Sequence, residues 1–274
     1  MELFGLSTWL LFILVGVLAG LLAGLFGIGG GLVMIPMFIW GFRVAGFAPE
    51  IIVHLAFGTS LAIIIPTAVS SALGHRKRGN VDWHLVLRMA CGSVAGVVLG
   101  SSLAAGLAGG TLKGLFGVMQ IGVGSRLFAK PPQLPACEPL PASWPKVLLI
   151  GLVVGTFSAF FGVGGGVIAV PLIMVLLHHA MHRAVGNSSG LMVISAVTGT
   201  ASYIWHGWGN SLLPPFSLGY VNLLVMILVA PFTILMARVG VRIASRTSHD
   251  RLVKAFAVLI ILVGLRMATS AFFD

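Results

Sequence analysis

The sequence predicts an all-α polytopic membrane protein of two homologous halves. Three observations carry that expectation: the composition, the length of the apolar runs and a duplicated glycine-proline block. Of 274 residues, 58% are hydrophobic and 8% charged, with a mean hydropathy of +1.09. A soluble globular domain carries about one quarter charged residues, and a disordered chain is poor in apolar ones, so both classes are excluded. Apolar runs of about 18 to 24 residues recur, each long enough to cross a hydrocarbon core of about 30 Å as a helix. The runs do not alternate residue by residue, which excludes a transmembrane barrel.

The excess of 16 Lys and Arg over 6 Asp and Glu gives a net charge of +10. No basic helix or aromatic-basic stretch accompanies it, so no nucleic-acid partner is expected and membrane topology accounts for the charge. Cys91, in an apolar run, and Cys137, in a linker, make neither a disulfide framework nor a metal knuckle. Glu2 and the lack of Lys or Arg before the apolar run from Leu10 predict a permanent first segment and no cleaved signal.

In chain order the apolar stretches lie at 6–42, 51–74, 84–105, 111–128, 147–177, 184–206, 216–237 and 252–272. The first and fifth exceed one crossing. Both are interrupted by glycine clusters, Gly27 to Gly31 and Gly162 to Gly166, with Pro36 and Pro171 five residues further on. Glycine freedom and the missing proline N–H predict a helix break there, with Pro36 and Pro171 as part of it.

The chain also repeats itself. Residues 24–36 share six of thirteen positions with 159–171, 54–60 share four of seven with 182–188, and 112–126 share seven of fifteen with 252–266. The expected organisation is an N-terminal repeat over 1–128, an extended Pro-rich linker over 129–146 and a C-terminal repeat over 147–274. Each repeat is a glycine-broken helical hairpin plus three transmembrane helices. If each broken segment crossed once, the loop Lys and Arg would split eight to six; as returning hairpins they split twelve to two, with Arg43 and Lys113 alone on the minority face. The positive-inside rule selects the hairpin. The halves are then inverted, with the linker in the cytoplasm and both termini outside.

Irregular backbone survives at membrane depth only inside protein or along a wet cavity. Two breaks at matched positions of inverted halves point to a transport site. The half-helices starting near Gly31 and Gly166 would offer unpaired N–H groups and a positive dipole end, and the glycines let an anion come close. Gly58-Thr59-Ser60 and Gly186-Asn187-Ser188-Ser189 fall about 10 to 14 Å into their spans. Their hydroxyls and amide are candidate walls of the same site; the alternative is back-bonding to the preceding turn. Arg126 and Arg266 are expected to snorkel to interfaces and Gln120 to bond a neighbouring helix. The spacings Gly16, Gly20, Gly24 and Gly92, Gly96, Gly100 suit helix packing and a homodimer equally.

His178, His179, His182 and Arg183 lack Cys, Asp or Glu nearby and make a weak metal set. No metal, cofactor or catalytic residue is expected. The acidic residues all fall in loops, interfaces or tails, which argues against a carboxylate proton relay, and no nucleophile stands with a base. Coupling to a proton or cation would use the substrate's own protonation, a histidine or backbone carbonyls.

The two glycine-proline blocks, the following Gly-Thr-Ser and Gly-Asn-Ser, the loop His75 to Asp82 and the ending Arg251 to Arg266 together resemble the TauE/SafE family of sulfite and organosulfonate exporters. The resemblance covers nearly the whole chain. It implies secondary transport, in the direction of export, of sulfite, sulfonates or related small organic anions such as carboxylates across a bacterial cytoplasmic membrane. By the same resemblance the site falls on Gly29, Gly30, Gly31, Thr59, Ser60, Gly164, Gly165, Gly166, Asn187 and Ser188. Thr59 stands where the second half has Asn187, which implies an asymmetric pocket. A passive anion channel and a non-transporting membrane scaffold are the rival expectations.

Overall fold

The structure is a computed structural model and describes residues 6–26, 30–128, 143–244 and 249–273. Within them lie ten helices and one short β-hairpin. The N-terminal half holds α1 (Leu6–Phe26), α2 (Gly31–Val44), α3 (Pro49–Lys77), α4 (Trp83–Ala105) and α5 (Gly109–Phe128). The C-terminal half holds α6 (Trp144–Phe161), α7 (Gly166–Leu177), α8 (Met181–Gly207), β1 (Ser217–Leu218), β2 (Val221–Asn222), α9 (Leu223–Ala244) and α10 (His249–Phe273).

Each half is thus a helix pair with a glycine break, followed by three helices. Two boundaries differ from the expectation. Helix α6 takes in Trp144 to Lys146 from the expected linker, because Pro145 sits in its first turn, where the missing N–H costs nothing. The hairpin β1–β2, paired Ser217 to Asn222 and Leu218 to Val221, occupies the start of the apolar run 216–237. Its strands are two residues each, too short for periodicity to register.

Helices α3, α4 and α6 are long and apolar enough to cross a membrane. Of these α3 is central: 89% of its most apolar window is buried, against 56% for α4 and 44% for α6. The outer helices expose Leu14, Leu149, Ile227 and Leu262. That is the surface of a protein whose surroundings are lipid.

The packing maps onto itself when the halves are exchanged. Helix α4 packs on α6 as α9 packs on α1, while α3 packs on its own counterpart α8 and α5 on its counterpart α10. The correspondence reaches single residues. A Cβ on Gly151 or Gly155 would overlap the carbonyls of Met89 and Ser93, and one on Gly16 or Gly20 would crowd those of Val229 and Thr233. Small residues let these backbones touch.

Helix directions follow from the same contacts. Gly92 faces Leu148 and Gly100 faces Thr156, so α4 and α6 run parallel; Gly16 faces Val229 and Gly20 faces Thr233, so α1 and α9 do too. By contrast Leu61 meets Gly199 and Ser71 meets Ser189, making α3 and α8 antiparallel. Gly117 meets Ala268 and Gly124 meets Ala257, making α5 and α10 antiparallel as well.

Candidate functional site

The two breaks are built alike. Gly30 precedes α2 with φ 77° and ψ −11°, and Gly165 precedes α7 with φ 80° and ψ −10°. Only glycine takes this left-handed conformation without strain. The first turns close identically: Val33 and Met34 donate to Gly30 O, and Ile168 and Ala169 donate to Gly165 O. Helix α6 ends on Gly162, at φ 66°, with Val163 N–H donating to Ser158 O at 3.2 Å.

Pro36 and Pro171 are not where the chain breaks; both stand inside the second half-helix. Six residues into a helix, a proline withholds one N–H from the carbonyl four residues back. In α2 that carbonyl is Leu32 O, and the Gln120 side chain replaces the missing donor, Nε2 lying 2.7 Å away. Gln120 therefore bonds a neighbouring helix, as expected. Its repeat counterpart is Ile260, which offers no such bond.

The breaks meet. A Cβ on Gly31 would come within 2.8 Å of Val163 Cα, and one on Gly164 would touch Ile64 and Met192, repeat counterparts on α3 and α8. The N-termini of α2 and α7 thus come together against the central helix pair. Of the candidate glycines, Gly30, Gly31, Gly164, Gly165 and Gly166 are assembled here, and Gly29 lies outside the described residues. A cavity of about 10 Å³, bordered by Phe157, Phe161, Val163 and Gly165, is the space beside α7. That holds about one water.

The polar triplets flank this point: Ser60 and Ser188 stand one helical turn before Ile64 and Met192, the two residues a Cβ on Gly164 would touch. In the antiparallel register of α3 and α8, Ser188 lies level with the turn near residue 72 of α3, about 18 Å along the axis from Ser60. One triplet sits toward each end of the pair, with the glycine breaks between them. Each triplet also divides its labour in the same way. Gly58 admits the Tyr220 carbonyl and Gly186 admits that of Asn80; a Cβ on either would overlap it. Thr59 Oγ1 accepts from Asn222 N–H at 3.0 Å, and Asn187 Oδ1 accepts from Asp82 N–H at 2.7 Å. Asn222 and Asp82 in turn cap α9 and α4: Asn222 Oδ1 accepts from Val225 N–H, and Asp82 Oδ1 from His84 and Leu85 N–H. Thr59 and Asn187 spend their side-chain oxygens on these bonds and not on the preceding turn. They hold the residue that caps a helix of the opposite half.

The third member of each triplet is different. Ser60 and Ser188 are buried, and neither hydroxyl has a hydrogen-bond partner. Elsewhere the helix hydroxyls of Thr156, Thr198, Thr200 and Thr233 each donate one turn back, the usual way such a group is satisfied in a membrane helix. Ser158 joins Ser60 and Ser188 as a buried hydroxyl without a partner. Its place beside the break was not legible, since its counterpart in the first half is Ala23 and no repeat marks it. Asp82, just before the apolar run from 84, carried the N-cap signal that would have found it, whereas Asn222 lies inside the run 216–237.

Arg126 and Arg266 are exposed, in keeping with snorkelling. His54 is buried, with its ring 3.1 Å from Ala104 O through Nε2, whereas its sequence match His182 is exposed. His179, in the turn before α8, approaches Asn187 Nδ2 at 3.4 Å through Nδ1. Burial and the nearby Arg183 push its pKa below the usual histidine value, with Asp82 opposing.

A sequence model described as "Sulfite exporter TauE/SafE" matches residues 12–267. A "Probable membrane transporter protein" of Haemophilus influenzae is 31% identical, covering 94% of this chain and 97% of its own. Proteins of the same description from Bacillus subtilis and Methanocaldococcus jannaschii are 25% and 26% identical, covering 97% and 94% of this chain and 100% and 94% of their own. No solved structure matches the chain significantly.

Proposed function

Because this chain belongs to the sulfite exporter TauE/SafE family of membrane proteins, we propose that it is a secondary transporter of sulfite, organosulfonates or related small organic anions, acting by alternating access. The observation that carries this reading is the meeting of two glycine-capped helix N-termini between α3 and α8. Freed N–H groups and dipole ends in a low-dielectric interior favour an anion there without any buried cation. Gly30, Gly31, Gly164, Gly165 and Gly166 form the binding point. Ser60 and Ser188 line the approaches on its two sides, and Thr59 and Asn187 hold the approaches' outer walls.

The two halves are inverted in this reading. A two-fold axis along the membrane normal would leave counterpart helices parallel, whereas an axis in the membrane plane reverses them. The antiparallel packing of α3 on α8 and of α5 on α10 supports the second. The positive-inside count agrees, with termini outside a bacterial cytoplasmic membrane and the linker within it. Inverted repeats around a fixed central site are the architecture on which rocking of one half against the other exposes a site alternately.

The test is counterflow: uptake of radiolabelled sulfite or a short sulfonate into proteoliposomes loaded with the unlabelled anion. Saturable counterflow is expected, lost in Gly30→Val and Gly165→Val proteins that remain monodisperse in detergent. Flux without counterflow would turn the reading to a channel, and undiminished counterflow in both variants would remove the glycines from the site.

A further inference from the structure

We propose that the Ser158 hydroxyl is a binding group for the transported anion, present in one half only, so that the anion is held at the α7 break and not symmetrically between the two breaks. This rests on the transport reading above and deepens it. Ser158 is fully buried and its Oγ has no hydrogen-bond partner. Its Cβ stands 3.1 Å from the position a Cβ on Gly165 would take, so the side chain lies against the residue that caps α7. The Ser158 carbonyl is already occupied by Val163 N–H, which anchors the serine to the same loop.

Two further donors stand beside it. The α7 ladder begins with Ile168 and Ala169 donating to Gly165 O. The N–H groups of Gly166 and Val167 precede that ladder, and they have no backbone acceptor among the described residues. One hydroxyl and two amide donors at the same helix N-terminus suit an oxyanion with three acceptor oxygens, as sulfite and sulfonates have.

The hydroxyl itself is unusual for its surroundings. On the same helix Thr156, two residues earlier, donates to Leu152 O at 2.8 Å. A buried hydroxyl that forgoes this bond costs stability and persists where a ligand supplies the partner. In the first half the corresponding residue is Ala23, so the donor set is one-sided.

The experiment measures sulfite counterflow and thermal unfolding for the wild type, Ser158→Ala, Ser158→Cys and, as control, Thr156→Val. Ser158→Ala is expected to raise KM about 10- to 150-fold, the span of one lost hydrogen bond to a charged group, while leaving the melting temperature unchanged or higher. Ser158→Cys, a weaker donor of similar size, should fall between. Thr156→Val should keep the wild-type KM. Unchanged KM in Ser158→Ala, or equal rises in Ser158→Ala and Thr156→Val, overturns the inference. A wild type that shows no counterflow of any small oxyanion overturns the transport reading instead, so the two failures are distinct.

Discussion

The two triplets, Gly58-Thr59-Ser60 and Gly186-Asn187-Ser188, perform one task in two settings. Each admits a loop carbonyl over a glycine, bonds the N–H of the next helix's cap residue, and leaves a serine hydroxyl unpaired. The first holds a hairpin wedged among helices: Tyr220 N–H also donates to Tyr203 O, and Gly219 abuts Ile204. The second holds the short turn before α4, where Gly79 is exposed. The same backbone device is therefore rigid in one half and close to solvent in the other. Duplication conserved the geometry, and burial sets what each copy withstands.

The largest test of that difference is a methyl group at each glycine. Gly58→Ala places a Cβ onto the Tyr220 carbonyl with no room to retreat, at or beyond the upper end of the ~1–3 kcal/mol typical of overpacking. Gly186→Ala meets Asn80, whose exposed turn can shift, and should cost about half as much. Detergent melting curves of the two variants check this, and equal losses would remove the distinction between rigid and yielding locks.

Next comes the asymmetry at the prolines. Gln120→Leu strips Leu32 O of its only replacement donor and leaves a buried carbonyl unpaired, costing about 1–3 kcal/mol. Ile260→Leu, the matching position, should cost less than about 1.5 kcal/mol. Comparable losses would mean that Gln120 serves packing and not the carbonyl freed by Pro36.

The caps follow in size. Thr59→Val keeps the shape and removes the acceptor of Asn222 N–H, a buried bond, for about 1–2 kcal/mol. Thr59→Ser should be nearly neutral. Asn187→Leu uncovers Asp82 N–H near an exposed turn, where water replaces the bond, and should cost below about 1 kcal/mol. The order Thr59→Val above Asn187→Leu is read from the same melts.

Much of this was legible because membrane helices announce themselves by length and glycine breaks by composition. The ten helices, the paired breaks, the repeat and the close-packing role of Gly92, Gly96 and Gly100 all follow from one-dimensional patterns. What stayed hidden depends on proximity across the chain. Pro36 looked like part of the break because a proline's effect depends on whether a distant donor such as Gln120 repairs it. The part Thr59 and Asn187 play in holding helix caps stayed hidden because their partners, Asn222 and Asp82, lie 163 and 105 residues away. Ser158 carried no signal at all, since a lone serine in an apolar run gains meaning only from the absence of a partner.

The smallest effect is a dependence on pH confined to the second lock. His179 Nδ1 accepts from Asn187 Nδ2, which requires an unprotonated Nδ1, and Asn187 Oδ1 in turn holds Asp82 N–H. Burial first and Arg183 second lower the pKa of His179, while Asp82 opposes them. The unfolded chain therefore takes up a proton on this histidine before the folded protein does. Stability contributed here is complete above the ordinary histidine value of about 6.5. It declines as pH falls below that value and levels off once pH has passed the lowered folded-state pKa, since stability rises with pH wherever the unfolded state binds more protons. Between pH 7.5 and 5.5 the wild type should lose more melting temperature than His179→Gln, which cannot take the proton. Adding Thr59→Val should leave that pH-dependent difference untouched, because the bonded pair of the first lock, Thr59 and Asn222 N–H, does not titrate. Identical pH profiles for wild type and His179→Gln would disconnect the histidine from the lock, and a profile changed by Thr59→Val would show that the two locks are coupled.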